Sequence, residues 1–332
     1  MIASELQPGA RNAVRVCLDI QPHERVTVIT DRACRSIADA LVAEIALIGA
    51  PVHEFVLEEV APRPLGDFPA VIAADMEQSA VSIFAARVQT NELLSRMQMT
   101  DIVNRRRMRH AHMVNITERI MCEGMRADFH AVDRISQNVI DKVRPARHVR
   151  ATTPAGTDIT ATLSPDLRWI KTSGLITPEK WGNLPGGECF TTPGNVNGTF
   201  VIDGVVGDWL CDRYGLLDQT PLTIQIKDGR LVDAWSDNAR LRDDFWTYTH
   251  TDENSDRVGE FAIGTNIELH SVIGHILQDE KFPGVHIAFG NPYGRHTGAT
   301  WWSSTHIDVV GTEFDVWADD QHLMQAGKFL IS

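Results

Sequence analysis

Over the first 145 residues the apolar positions change period repeatedly, and the alternation predicts helices and strands in turn. A helical segment up to Ile20 precedes an apolar run at 25–30. Residues 36–47 then space their apolar side chains for one helical face, with Gly49 as a stop signal. Further runs at 52–57 and 80–85 predict strands, and helices are expected over 91–105 and 117–143, where Pro145 ends the pattern. Strand and helix in alternation imply an open, mainly parallel sheet with crossover helices. No Gly-x-Gly-x-x-Gly follows the first strand, so this order does not imply dinucleotide binding.

Near residues 145–154 the texture changes to short β-prone runs, at 158–163, 199–203, 222–226 and 231–235, punctuated by glycine and asparagine. Lys227-Asp228-Gly229-Arg230 reads as the turn of a hairpin. The expected fold class is α/β, with an N-terminal α/β domain over 1–145 and a C-terminal α+β domain of antiparallel strands over 146–332, the latter carrying a metal site. A chain of 332 residues is long enough for two cores.

Charge and composition narrow the partners. A net charge of -13 without basic runs argues against nucleic acid and anionic membrane, leaving a small molecule or short peptide as substrate. No apolar run approaches the ~20 residues of a membrane span. No signal or transit pattern is visible at the start, and five scattered cysteines without a Cys-x-x-Cys suit reduced thiols, so a cytoplasmic protein is expected.

Candidate chemistry lies in the C-terminal half. His306-Ile-Asp308 sits in a β-prone run, where side chains two apart share a face. Alone, such a pair is usually the wet face of an edge strand. His286, heading the strand-like run to Gly290, adds a second imidazole, and the three suit either a zinc-type site or a mononuclear iron triad. Glu260 and Glu188 each enter an apolar run, where a carboxylate needs a cation or a partner. Together the five could hold two divalent ions, an arrangement suited to hydrolysis.

The ordered set Asn183-Leu-Pro-Gly-Gly-Glu188, Asn197-Gly-Thr-Phe-Val-Ile-Asp-Gly204, Gly259-Glu260-Phe-Ala-Ile-Gly-Thr-Asn266, Asp279-Glu280-Lys281, His286-Ile-Ala-Phe-Gly290 and His306-Ile-Asp308 resembles the thermophilic-type metallo-aminopeptidases, over roughly residues 180 to 330. The resemblance implies a metal-dependent hydrolase cleaving an N-terminal peptide bond or small amide, in a homodimer. It implies two divalent ions per chain (Zn, Co, Mn or Mg), ligated by Glu188, Glu260, His286, Tyr293, His306 and Asp308. Glu188 or Glu260 would act as base and Tyr293 would steady the oxyanion. It extends to 2,5-dihydroxypyridine dioxygenases, which implies as the alternative one Fe(II) on His286, His306 and Asp308. That branch lacks an acid at the Glu188 position, so Glu188 favours the hydrolase. His296, Trp301 and Trp302 are candidate substrate contacts, Cys189 is expected to be a small buried residue, and His110 and His112, near Arg105-Arg-Arg107, read as a basic surface or domain-contact segment.

Overall fold

The computed structural model describes residues 4–331. The chain forms two compact units, Met1–His130 with Gly174–Gly186, and Ala131–Ser173 with Gly187–Ser332. Position 146, where the sequence texture changes, lies in the second unit, just past the helix Phe129–Val143.

The first unit carries a five-stranded sheet in the order Val52–Val56, Val26–Thr30, Val81–Ala85, Arg109–His112 and Gly182–Asn183, parallel throughout. Every residue of Val26–Thr30 and of Val81–Ala85 is buried, which is why these strands read as unbroken apolar runs. The helix Arg35–Ile48 follows the first strand and ends at Gly49, whose φ of 83° lets the chain turn out of the helix without a Cβ penalty.

Two expectations need correction here. The single helix expected over 117–143 is broken into Glu118–Cys122, a 3-10 turn Gly124–Arg126, and Phe129–Val143. Thr117 caps the first piece by accepting from Ile120 N, Glu123 leaves helical geometry at φ -114° and ψ -94°, and Asp128 accepts from His130 N at the restart. The second correction concerns His110 and His112. They are not a basic surface: both are buried on an inner parallel strand. Ser82 Oγ lies 2.8 Å from His110 Nδ1, and His110 Nε2 lies 3.1 Å from His112 Nδ1, so the imidazoles satisfy one another inside the sheet. Burial lowers the pKa of His110 to about 3 and that of His112 well below its usual value, which keeps both neutral.

In the second unit, two antiparallel sheets share one apolar core. The eight-stranded sheet runs Arg230–Trp235, Leu222–Lys227, Asn195–Ile202, Asp158–Thr162, His148–Thr152, Asp315–Ala318, Gln321–Gln325 and Lys328–Phe329. Its first two strands form the expected hairpin, with Asp228 at φ 52° and Gly229 at φ 73°, the two positive values that suit a tight two-residue turn. The five-stranded sheet runs His306–Val310, Gly284–Gly290, Val258–Gly264, Glu188–Thr191 and Ile170–Thr172. Phe200 and Ile224 from the larger sheet join Phe261, Ile287, Phe289 and Val309 from the smaller in one cluster. Among the described residues no helix is long and apolar enough to cross a membrane.

Candidate metal centre

Antiparallel register decides what the five-stranded sheet does with its other face. Glu260 stands opposite Ala288, which stands opposite Asp308; Ala262 stands opposite His286; Gly290 opposite His306; and Gly264 opposite Glu188. Opposed residues share a face and alternate residues return to it. Glu188, Glu260, His286, His306 and Asp308 therefore project together, away from the core packed under Phe261, Ile263, Ile287, Phe289, Ile307 and Val309. Cys189, one residue out of phase with Glu188, falls on the core side, buried, with its Sγ 3.2 Å from Ser136 O.

Glu260 reaches this face through a bulge. Val258 opposes Phe289 and packs in the core, so plain alternation would send Glu260 to the core as well. The register shifts between Val258 and Glu260, and the extra residue, Gly259, turns the carboxylate over. A Cβ at Gly259 would lie 2.4 Å from Gly290 O, so only glycine fits at the bulge.

The ionisable atoms converge. His286 Nε2 lies 3.4 Å from Glu260 Oε1 and 3.5 Å from Glu188 Oε2; His306 Nε2 lies 3.8 Å from Glu260 Oε2 and 3.4 Å from Asp308 Oδ1. Three groupings bring candidate ligand atoms within 4.8 Å of one another: Glu188, Glu260 and His286; Glu260, His306 and Asp308; and Glu280, His286 and Asp308. His306 Nδ1 donates to Asn291 O at 2.9 Å, which fixes the tautomer and leaves Nε2 to face the carboxylates. Tyr293, the sixth expected residue, sits at φ 49° and lays its ring 4.4 Å from that of His306. Partial burial and the carboxylates of Glu260 and Asp308 push its phenol well above the usual value.

Two residues of the cluster escape a reading of strands and histidines. Glu280 and Lys281 follow the short helix Ile276–Asp279, and Lys281, only 1% exposed, places Nζ 2.7 Å from Glu188 Oε1 and 2.6 Å from Glu280 Oε1. A Cβ at Gly264 would stand 1.9 Å from Phe282 O, so this glycine is what lets the segment lie against the sheet beside Glu188. The sequence signal was the acid-acid-lysine run Asp279-Glu280-Lys281 ahead of an apolar strand.

Four carboxylates, Glu188, Glu260, Glu280 and Asp308, face one ammonium, so three negative charges would be unbalanced if every carboxylate were ionised and both imidazoles neutral. Protonation shows the strain. Burial raises Glu260 and lifts Glu280 to about 8. Burial also opposes charge on His306, but Asp308 outweighs it and raises the imidazole to about 10; reciprocally, Asp308 falls to about 2. Glu188 is lowered because Lys281 overcomes its burial. Protons thus gather where a cation would otherwise be attracted.

The remaining candidates lie on neighbouring loops. His296 is exposed in the turn Gly294–Thr297, and its carbonyl accepts from Arg168 Nε at 2.8 Å. Trp301 lies under the Arg257 guanidinium, 4.3 Å from ring centre to Cζ, while Trp302 is exposed and its carbonyl accepts from Asn254 Nδ2. Asp252 anchors this loop, accepting from Ser303 Oγ at 3.0 Å and Ser304 N at 2.7 Å.

A mixed α/β chain with buried imidazoles and carboxylates on one sheet face has the makings of a metalloenzyme. Residues 134–318, more than half the chain, match the thermophilic metalloprotease family M29, and the chain belongs to that family. Among solved structures it is similar to 2,5-dihydroxypyridine dioxygenase from Pseudomonas putida KT2440, at 15% identity and TM-score 0.71 over 99% of this chain and 98% of that one. It is also similar to wild-type AmpT from Thermus thermophilus, at 17% identity and TM-score 0.68 over 98% and 99%. At these identities the likeness concerns the fold. No curated protein sequence matches the chain significantly.

Proposed function

We propose that this protein is a metal-dependent peptidase that removes N-terminal residues from short peptides or hydrolyses small amides. The observation that carries the reading is His286 Nε2: buried, without a hydrogen-bond partner, and 3.4 to 3.5 Å from two carboxylate oxygens. A buried ring nitrogen facing two carboxylate oxygens without a hydrogen bond is unfavourable unless a proton or a cation lies between them, so the residues fit a divalent metal.

Glu260, His306 and Asp308 would hold one ion, and Glu188, Glu260 and His286 a second. Glu260 would serve both groupings, because Oε1 faces His286 and Oε2 faces His306. The grouping with Glu280 shares His286, whose single lone pair serves one ion, so it does not make a third position. When bound, such ions supply Lewis acidity and a water acidified toward neutrality.

The chain's own groups divide the remaining work. Glu188 Oε1 already accepts from Thr172 Oγ1 at 2.9 Å and from Lys281, which keeps Glu188 a fixed anion. Glu280, paired with Lys281 at 2.6 Å and lying in the same cluster, is the acid placed to take a proton from the attacking water and pass it to the departing amine. Tyr293, with its phenol held protonated, donates to the developing oxyanion. The net charge of -13 favours approach of a substrate's α-ammonium end.

Each of the three close groupings includes a glutamate, which argues against a single iron on His286, His306 and Asp308 alone. The test is a panel of amino-acid amides and short peptides beside 2,5-dihydroxypyridine, with added Zn, Co, Mn or Fe(II), with and without oxygen. Oxygen-independent release of N-terminal residues, abolished by chelator and by Glu188→Ala, is expected. Oxygen-dependent consumption of the pyridine without amide cleavage would overturn the proposal.

A further inference from the structure

We infer that Lys281 makes the two cation positions unequal: the one at Glu260, His306 and Asp308 fills first and tightly, and the one at Glu188, Glu260 and His286 fills weakly, because a protein ammonium is already built into its edge. The inference rests on the metal-dependent reading above and adds to it the order of filling and the residue that sets it.

The carboxylates are shared asymmetrically. Among the described residues, the ion pairs of Lys281 are to Glu188 at 2.7 Å and to Glu280 at 2.6 Å. Glu188 belongs to the grouping around His286, and so does the alternative acid there, Glu280. Glu260, His306 and Asp308 make no ion pair with Lys281 among the described residues. A dication at His286 must therefore share a carboxylate with a fixed positive charge, and one at His306 need not. Glu188 Oε1 also accepts from Thr172 Oγ1, so Oε2 is the oxygen left for an ion. Like charges on the two oxygens of one buried carboxylate repel with little solvent between them.

Nor can the ammonium easily withdraw. Its residue is 1% exposed, its backbone N–H donates to Gln278 O at 2.9 Å, and its carbonyl accepts from Asn266 N at 3.0 Å. The preceding turn is held by Asp279, whose carboxylate accepts from the backbone N–H groups of Ile273, Gly274 and His275 at 2.8 to 2.9 Å. The next residue, Phe282, has its carbonyl against Gly264. Lys281 is a positioning residue in this scheme: it acts through Glu188 and Glu280.

The experiment is calorimetric titration of the metal-free, full-length chain with Zn²⁺ alone at neutral pH. Wild type should show two steps separated by about tenfold or more in affinity, as a fixed neighbouring charge demands. His306→Ala should remove the tight step and His286→Ala the weak one. Lys281→Met, with Lys281→Gln in reserve should the first not fold by circular dichroism, should tighten the weak step by about tenfold and leave the tight step within about threefold. Lys281→Arg keeps the charge and should keep the gap. Two equal steps in wild type, or a weak step that weakens further or vanishes in a folded neutral variant, would overturn the role of Lys281. Absence of any Zn²⁺ binding by wild type would instead remove the metal-dependent reading itself.

Discussion

Removing one negative charge from the middle of the cluster should leave the metal-free protein at least as stable while abolishing most of its stabilisation by metal. Glu260→Gln is that perturbation: Glu260 faces both imidazoles, at 3.4 and 3.8 Å, and is buried among three further carboxylates. A ligand present at a hundred times its dissociation constant stabilises the folded state by about 2.7 kcal/mol for one site. The second unit comprises residues 131–173 and 187–332. For a domain of that size each kcal/mol moves the midpoint by about 2 to 4 °C, so filling the tighter position alone should raise Tm by about 5 to 11 °C. Glutamine preserves the shape but weakens both positions at once, so most of that rise should disappear. Without metal, burial already disfavours the charged form of the Glu260 carboxyl, so a neutral amide in its place should hold or increase the midpoint. Scanning calorimetry in chelator and in excess Zn²⁺ reads all four values. Equal midpoints for wild type with and without metal would refute the reasoning, and so would a glutamine variant that keeps the whole rise.

Two further outcomes follow from the fold. His110 and His112 are held neutral by burial, His110 down to about 3, whereas in the unfolded chain an imidazole titrates near 6.5. As pH falls from about 6.5 toward about 3, only the unfolded chain takes up these protons, so stability is lost at about 1.4 kcal/mol per pH unit for each imidazole. His110→Gln should therefore flatten the acid limb of the first unit's urea midpoint between pH 6.5 and 4, and an unchanged slope would contradict this origin. Gly264→Ala places a Cβ 1.9 Å from Phe282 O, where anything under 3.0 Å forces a shift. Because the obstacle is backbone, the cost should be about 1 to 3 kcal/mol, read as a lower Tm in chelator; an unaltered Tm would mean the 281–282 segment is free to move.

Much of this is legible in the sequence. The first unit's strands announced themselves because burial on both faces demands continuous apolar runs, and the hairpin at Asp228-Gly229 because only such residues accept two positive φ values in succession. Glu188, Glu260, His286, His306 and Asp308 could be singled out from ordered motifs, since each is a polar residue in an apolar strand. What remained hidden depends on contacts distant in sequence. Alternation alone would send Glu260 inward with Val258; the bulge that reverses it is set by the approach of Gly259 to Gly290. Asp279-Glu280-Lys281 stands out as a motif, but nothing local reveals that Gly264 lets the lysine be buried. His110 and His112 follow a cluster of arginines, yet strands on both sides enclose them. The break near Glu123 was a local event whose markers, Gly124 and Asp128, were open to view but outweighed by helical spacing on either side.

The turn that carries Glu280 and Lys281 is pinned by main-chain contacts at Gln278, Asn266 and Gly264, not by the two side chains it presents. The backbone ladder of the five strands beneath it involves neither of those two side chains. Electrostatic character at the centre is thus adjustable by changes at two adjacent codons, and descent with modification has there an inexpensive dial for diversifying chemistry on an unaltered scaffold.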